Sequence, residues 1–201
     1  MALTVDYYFA PHSPWTYLGH ERFARIAGEA GAAINVLPVD LGGKVFPVSG
    51  GLPLAKRAPQ RLAYRLVELQ RFSEFLGRPI VLQPKFFPVN PDDAAKLIIA
   101  VDMHDGGDAA MRIAGRILRG VWVDERNIAD PRDLAKIVAE EGLPARRLDD
   151  AMSQAAHVRY ERDTERAIAA GVFGAPSYVI DGELFWGQDR LDFVQRRLAR
   201  G

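Results

Sequence analysis

Residues 3–18 read LTVDYYFAPHSPWTYL, and this stretch decides the fold. Apolar side chains alternate with other side chains from Leu3 to Phe9, which is the period-two pattern of a β-strand. The pattern stops at Pro11. The stretch therefore predicts a strand that is followed within a few residues by a different element.

That next element is predicted to be a helix beginning near Trp15. Apolar residues recur at helical spacing between Phe23 and Ala30, and Gly31 is a suitable C-terminal stop. A second short strand is predicted at residues 34–39. The two strands are expected to lie parallel, because a helical crossover joins them.

The middle of the chain is predicted to be a long irregular loop followed by helices. Residues 41–58 are rich in glycine and proline, and long loops in compact domains are often functional. Two later helix starts place a capping side chain before a proline, at Asn90-Pro91 and Asp130-Pro131. Apolar residues at helical spacing mark the helices: Leu62/Leu66/Leu69/Phe72/Leu76, Ala94/Leu97/Ile98/Val101 and Ala110/Ile113/Ala114/Ile117/Leu118/Val121.

Strands return near the C-terminus. Residues 177–180 and 183–186 flank Asp181-Gly182, a strong two-residue hairpin signal. A last helix is predicted from about Asp189 to Ala199. The predicted fold class is therefore α/β, a thioredoxin-like core (β-α-β … β-β-α) with a large all-helical insertion.

This order of elements also predicts how the chain is divided. Residues 1–40 and 162–201 are expected to form the thioredoxin-like core. Residues 41–161 are expected to form the loop and the helical insertion domain.

The composition argues against several classes of function. Lysine and arginine number 26 and aspartate and glutamate number 26, which argues against nucleic acid or a membrane surface as a partner. There is no cysteine, so any thiol chemistry needs an external thiol. We expect a cytoplasmic protein, because the sequence shows neither a targeting segment nor a membrane-length apolar run.

Three junctions next to the predicted strands carry the candidate chemistry. At Ser13-Pro14-Trp15-Thr16, helix amides favour a thiolate or carboxylate, and Ser13 equally suits the helix N-cap. Gly174-Ala175-Pro176 is either a simple turn or a cis-proline loop whose free backbone groups pair with an extended ligand. At Phe185–Arg190, Asp189 is a helix cap, a contact for a ligand with an ammonium and a carboxylate, or both.

These three stretches resemble the family of 2-hydroxychromene-2-carboxylate isomerases and kappa-class glutathione transferases, relatives of the DsbA-like disulfide oxidoreductases. The resemblance covers nearly the whole chain. It is carried by F-x-x-x-S-P-[WY]-x-Y-L at residues 9–18, G-x-F-G-x-P at residues 171–176 and F-[FW]-G-x-D-R at residues 185–190.

The resemblance implies roles for residues of these motifs. Ser13 is the implied catalytic residue and takes the place of the first cysteine in the C-P-x-C motif of the redox relatives, with Thr16 in place of the second. Its hydroxyl would donate a hydrogen bond to the sulfur of glutathione, the implied cofactor, and lower the thiol pKa. The residues implied to bind glutathione are Ser13, Ala175, Pro176, Trp186, Gly187, Gln188 and Asp189.

The implied reaction is an isomerisation in the breakdown of aromatic compounds. The glutathione thiolate adds to a conjugated carbon, the chromene ring opens, a carbon–carbon bond rotates, and elimination returns glutathione unchanged. The reaction involves no redox change, which agrees with a chain that lacks cysteine.

The substrate side of the site is expected to accept a small aromatic or conjugated molecule. The residues expected to contact it are Trp15, Lys44, Gly51 and Phe86, although a core role for Phe86 fits equally. Lys44, Lys56, Arg57 and Arg61 are candidates for holding its carboxylate, and solvated surface charge is the alternative for each. At Gly51 many relatives carry an asparagine, so either the backbone replaces that contact or the ligand differs.

Two other functions remain open for the same residues: a kappa-like glutathione S-transferase and a non-catalytic thioredoxin-fold binding module. In either case we expect a homodimer. A Ser-His hydrolase based on His12 is disfavoured, because no carboxylate in the motif is spaced to orient the imidazole. The other histidines show no metal-ligand spacing, so no metal is expected.

Overall fold

The computed structural model describes residues 3–200 and is built around a four-stranded sheet. Its strands, in the spatial order β2-β1-β3-β4, are β1 (Thr4–Phe9), β2 (Ala33–Pro38), β3 (Ser177–Ile180) and β4 (Glu183–Trp186). β1 and β2 are parallel, whereas β3 pairs antiparallel with both β1 and β4. The predicted β-α-β opening and the C-terminal hairpin are confirmed.

Helices surround the sheet and fill the insertion. The helix α1 (Pro14–Glu29) is the crossover between β1 and β2, and α9 (Leu191–Leu198) ends the chain. Along the chain, seven helices follow β2 and precede β3: α2 (Phe46–Ser49), α3 (Pro59–Leu76), α4 (Asp92–Asp105), α5 (Gly107–Trp122), α6 (Pro131–Glu140), α7 (Arg147–Ala151) and α8 (Gln154–Ala169). The α/β fold with a helical insertion is thus confirmed. The division at residue 161 stays a prediction, and α8 runs through that position.

The central strand β1 is buried on both faces. Val5, Tyr7 and Phe9 belong to the main core cluster, which also contains residues of α1, α4, α5 and α9. Tyr8, on the opposite face, packs in a second cluster with Ala167 of α8. The alternating pattern predicted the strand but not the burial of Tyr8, because α8 covers the face that the pattern left polar.

The segment predicted as an irregular loop is more regular than expected. A π-helical turn at Leu41–Val45 begins at Asp40, whose carboxylate accepts the N–H of Gly43 at 2.7 Å. α2 follows directly and ends at Gly50, and a 3-10 turn spans Leu54–Lys56. Gly50 and Pro53 therefore lie at the boundaries of these short turns, whereas Gly42, Gly43 and Pro47 lie within them.

The predicted cap at Asp130 and the hairpin turn are confirmed, whereas Pro91 itself occupies the N-cap position of α4. Asp130 caps α6 by accepting the N–H of Arg132 at 2.9 Å, and Asn90 accepts the N–H of Asp92 at 2.9 Å at the start of α4. The hairpin residues Asp181-Gly182 have φ values of 48° and 82°. Positive φ at both positions is what a type I′ hairpin turn requires.

Candidate active site

One edge of the sheet brings the three sequence motifs together. Tyr8 near the end of β1 pairs with Ser177 at the start of β3, and Ser177 pairs with Trp186 at the end of β4. The segments that continue from these strand ends therefore emerge side by side, at the N-terminus of α1. The N–H of Gly187 donates to the carbonyl of Pro176 at 2.9 Å and ties two of the motifs directly.

Ser13 is the N-cap of α1 and still has an uncommitted proton. Its Oγ accepts the N–H of Thr16 at 3.2 Å, and the residue is only 7% exposed. In residues 3–200 the hydroxyl donates to no protein acceptor, so the proton is free to be donated to a ligand. Oγ1 of Thr16 is also buried, and no other described residue bonds to it. The cap and the donor interpretations of Ser13 are thus compatible.

The proline loop packs closely against the end of β4. The Ala175-Pro176 peptide is cis, and Ala175 is 8% exposed. A Cβ on Gly174 would lie 2.3 Å from Nε1 of Trp186, so the indole lies directly on the glycine backbone. Trp186 also packs against Phe173, with ring centroids 4.8 Å apart, and remains 51% exposed. This exposed indole therefore lies at the surface beside the proline loop.

The segment after β4 departs from its expected capping role. Asp189 lies in a 3-10 turn (Gln188–Arg190), and its carboxylate pairs with Arg190 at 2.6 Å. The capping interpretation of Asp189 is wrong, because α9 begins after this turn without a side-chain cap. Asp192, three residues after Asp189, bonds to Arg22 of α1 at 2.5 Å. Asp189 and Arg190 are therefore left at the surface as an adjacent negative and positive charge.

Gln188 is the buried residue of this turn. It is 2% exposed, and its Oε1 has no hydrogen-bond partner in the part of the chain that the structure describes. A Cβ on Gly19 would lie 2.7 Å from the Cβ of Gln188, so the absence of a side chain at Gly19 lets α1 approach the turn closely. This contact fixes the turn next to the helix that Ser13 caps.

His12 lies beside Ser13 without serving it. The imidazole packs near Phe87, with ring centroids 6.1 Å apart, and burial lowers the pKa of His12 to about 4. The histidine is therefore neutral at pH 7, and it makes no hydrogen bond to the Ser13 hydroxyl. The backbone carbonyl of His12 accepts the N–H of the Trp122 indole at 3.2 Å. The geometry does not support a Ser-His hydrolase.

The residues predicted to contact the substrate lie in different surroundings. Trp15 is half-buried and packs edge-on against Phe72 of α3, with ring centroids 5.9 Å apart. Lys44 pairs with Glu161 of α8 at 3.5 Å. Phe86 lies under the ammonium group of Lys85, 5.0 Å from it. The roles of Trp15, Lys44 and Phe86 stay predictions.

Phe87, next to Phe86, is the phenylalanine that approaches the Ser13 loop. The centroid of its ring lies 4.7 Å from that of Trp122, and the same ring packs near the imidazole of His12. Phe87 is only half-buried, so part of its ring remains accessible. The sequence analysis singled out Phe86 and not Phe87, because nothing local shows which of two adjacent rings faces the site.

The glycine at position 51 has a steric cause. A Cβ on Gly51 would lie 2.1 Å from Cδ1 of Phe46, so the phenylalanine ring fills the space that an asparagine side chain would need. The next residue, Leu52, accepts the Nε–H of Arg57 through its carbonyl at 2.9 Å. This structure therefore places an aromatic ring and a fixed guanidinium in the loop where an amide side chain is expected.

Arg65 is a site residue that the sequence did not single out. Its guanidinium lies over the rings of Phe87 and Trp122, 5.4 Å and 5.7 Å from their centroids. Arg61, which was a candidate, stands one helical turn earlier on α3, so the four-residue spacing was an available signal. The aromatic rings that hold Arg65 come from distant parts of the chain and could not be read from that spacing.

Residues 3–200 contain no cluster of histidine and acidic residues able to hold a metal ion. None of the helices in this part of the chain is long and apolar enough to cross a membrane.

The sheet and the serine at the start of the first helix define a thioredoxin-fold protein without a redox cysteine. Comparisons with known proteins agree with this class. Residues 4–199 match the model of the DSBA-like thioredoxin domain. The chain is 30% identical over 204 residues to 2-hydroxychromene-2-carboxylate isomerase of Pseudomonas sp. (strain C18), covering 99% of this chain and 92% of that protein. It is 23% identical over 202 residues to glutathione S-transferase kappa 1 of Caenorhabditis elegans, covering 94% and 88%.

A solved structure points the same way. The structure of a 2-hydroxychromene-2-carboxylate isomerase superimposes with a TM-score of 0.81 at 27% identity, covering 98% of this chain and 95% of that one. The chain therefore belongs to the DSBA-like thioredoxin family and, within it, to the 2-hydroxychromene-2-carboxylate isomerases. It is an enzyme of the isomerase class.

Proposed function

We propose that this chain is a glutathione-dependent isomerase of the 2-hydroxychromene-2-carboxylate type, in which Ser13 holds the glutathione sulfur. The observation that carries the proposal is the uncommitted hydroxyl proton of Ser13 at the N-terminus of α1. A helix N-terminus favours a negative charge, and a hydrogen bond to a thiolate stabilises it relative to the thiol. The residue is thus suited to activating a bound thiol in a chain that has none of its own.

The surroundings of Ser13 fit a peptide-like thiol. Oγ1 of Thr16 is a buried polar atom without a partner among residues 3–200. Such atoms are costly to leave unpaired, and a ligand with amides and carboxylates supplies partners. When bound, glutathione would supply a nucleophilic sulfur that adds reversibly to a conjugated carbon and leaves unchanged.

The chain's own residues would bind and orient the ligand. Ala175 and Pro176 offer backbone groups of the proline loop for the cysteinyl part, and Gly187 holds this loop through its hydrogen bond. Asp189 and Arg190 present one negative and one positive charge, which match the ammonium and carboxylate of a γ-glutamyl group. Trp186 would line the groove proposed for glutathione between these two places, since its indole lies against Gly174 of the proline loop.

Isomerase assays on a pair of serine variants test the proposal. Ser13→Ala is expected to lose most of the turnover of 2-hydroxychromene-2-carboxylate in the presence of glutathione. Ser153→Ala is the matched control, because Ser153 caps α8 and its Oγ accepts the N–H of Ala156, likewise at 3.2 Å. Absence of glutathione binding to the wild-type protein in calorimetry at millimolar concentration would sink the proposal.

A kappa-like glutathione transferase is the second candidate, and the match to glutathione S-transferase kappa 1 favours it. The same site would activate the thiol in either case. A generic aromatic electrophile separates the two, because a transferase consumes glutathione and an isomerase does not. The third reading, a non-catalytic binding module, has lost its support, since the chain belongs to an isomerase family.

We further propose a homodimer and a cytoplasmic location. Helix α3 buries only Leu69 completely and leaves Tyr64, Val67 and Phe75 exposed by 58%, 44% and 81%. Such a row of exposed apolar side chains is typical of an interface. Light scattering on the purified chain gives the mass directly, and a monomer at micromolar concentration contradicts the dimer. The cytoplasm keeps thiols such as glutathione reduced, which suits the proposed chemistry.

A further inference from the structure

The guanidinium of Arg65 is held in place but not neutralised. It is half-buried and lies over Phe87 and Trp122 at distances at which a cation interacts with a ring face. No carboxylate of residues 3–200 forms an ion pair with it. Arg71 on the same helix shows the usual arrangement, because its guanidinium pairs with Glu68 at 2.8 Å. The donors of Arg65 are therefore available to an anion from outside the chain.

A second unpaired cation adds to this positive region. Arg57 is anchored to the carbonyl of Leu52, and burial together with the charge of Arg61 lowers its pKa. Burial and the charge of Arg57 lower the pKa of Arg65 to about 10, so Arg65 stays positive at pH 7. Three like charges in one region, without acidic partners, raise the free energy of the empty protein. An anionic ligand would relieve that repulsion.

This positive region lies on the substrate side of Ser13. The Trp122 ring under Arg65 donates its N–H to the carbonyl of His12, the residue before Ser13. Phe87, the other ring under Arg65, contacts the imidazole of His12. The proline loop and the Asp189 turn, in contrast, continue from the strands β3 and β4. An anion on Arg65 would therefore approach Ser13 from the insertion and not from the proposed glutathione groove.

We propose that Arg65 binds the carboxylate of the conjugated acid on which this enzyme acts and so selects acids over neutral analogues. The inference rests on the proposed function, and it adds a residue outside the motifs that define the site. The guanidinium lies over two rings and pairs with no carboxylate of residues 3–200, so its N–H donors remain for a ligand, and the planar guanidinium suits bidentate pairing with a carboxylate. The glycine carboxylate of glutathione is a second source of the same chemistry, which the experiment must separate.

The test measures binding of trans-cinnamate and of neutral cinnamamide by calorimetry, without glutathione. The wild-type protein should bind the acid more tightly than the amide by about tenfold to hundredfold, the worth of hydrogen bonds to a charged group. Arg65→Met keeps an unbranched side chain and should remove this preference. Arg65→Lys should retain part of it, because the charge remains. Arg71→Met, the matched control on α3, should leave the preference unchanged.

The outcomes separate this proposal from the proposed function. The proposal is overturned if wild-type protein shows no preference for cinnamate, or if a folded Arg65→Met protein keeps that preference. It is also overturned if Arg65→Met weakens glutathione binding and leaves cinnamate binding intact. Where Arg65→Met does not fold, Arg65→Gln takes its place, with circular dichroism as the check. If Arg65→Met loses the preference for cinnamate but the wild-type protein isomerises no chromene, the role of Arg65 in binding a carboxylate is supported and the isomerase function is contradicted.

Discussion

Replacing Ser13 by glycine should raise the pKa of the bound glutathione thiol. The hydroxyl of Ser13 has two separable roles, since Oγ accepts a cap bond from Thr16 while the proton is free for the sulfur. Glycine is nearly as good an N-cap as serine and costs only about a few tenths of a kcal/mol, whereas alanine costs about 1 kcal/mol. Ser13→Gly therefore removes the donor with little loss of helix stability.

The magnitude follows from the kind of bond that is lost. A hydrogen bond to a charged group is worth about 1.5–3 kcal/mol. At about 1.36 kcal/mol for each tenfold change in the ionisation constant, the Ser13 bond lowers the thiol pKa by about 1 to 2 from its ordinary value of about 8.5. The helix N-terminus lowers it further and is unaffected by the substitution. The bound thiol of Ser13→Gly should thus titrate about 1 to 2 higher than that of the wild type.

The assay follows thiolate absorbance in the ultraviolet as pH is raised, with protein in excess so that all glutathione is bound. Ser153→Gly is the control, because Ser153 makes the same cap bond at 3.2 Å but donates its proton to the carbonyl of Asp150 at 2.6 Å. It should leave the thiol titration where the wild type has it. Identical thiol pKa values in Ser13→Gly and wild-type protein would refute the assigned role of the hydroxyl.

Three further predictions concern stability and shape. Burial lowers the pKa of His20 from 6.5 to about 4. Between these two pH values His20 is protonated in the unfolded chain but neutral in the folded one, so the free energy of unfolding should fall by up to about 3 kcal/mol as pH falls from 6.5 to 4. Denaturant titrations of His20→Gln should show a shallower loss over that window, and an equal slope contradicts this. Gly174→Ala should displace Trp186 and weaken glutathione binding by about tenfold in calorimetry, or about 1.4 kcal/mol. An unchanged affinity would contradict the proposal that glutathione binds beside Trp186. Gly51→Asn should destabilise the fold by about 1–3 kcal/mol in urea, and less in a Phe46→Ala background, whereas equal costs in both backgrounds argue against the steric explanation.

The buried His20 also shows how its protonation state follows from geometry. Nε2 lies 2.9 Å from the carbonyl of Met111, which can only accept, so this nitrogen carries the proton. Nδ1 is then the acceptor for the hydroxyl of Tyr7, 3.1 Å away. A glutamine at this position can donate and accept in the same way, which is why it suits the pH experiment.

Features that depend on neighbouring residues were predictable from the sequence. The cap formed by Ser13 and the hairpin at Asp181-Gly182 are set by backbone groups within a few positions, and both are present as expected. The arrangement of the three motifs was also predictable, because the order of strands in this fold places their ends at one edge. The residues of the three motifs also indicated the family, and the comparisons confirmed it.

Features that depend on distant contacts were not predictable. Asp189 and Asp192 have the spacing of a cap, but the carboxylate of Asp192 bonds to Arg22 of α1, which is distant in the sequence. The reason for Gly51 lies in the ring of Phe46, which only the folding of the loop brings against it. In each case a charge or a ring from another turn outweighed the local pattern, and a single sequence does not carry that information.

Helix α8 has a consequence for motion in this enzyme. Its first half is fastened to the insertion, where Tyr160 packs with Ile99 of α4, and its second half is fastened to the sheet, where Ala167 packs with Tyr8. A single unbroken helix of 16 residues spans both attachments. Hinge opening between the core and the insertion would have to bend or break this helix, so we expect substrate entry to depend on the short turns of residues 41–58. Ligand exchange should then be governed by loop movement on the timescale of loops, and not by domain rotation.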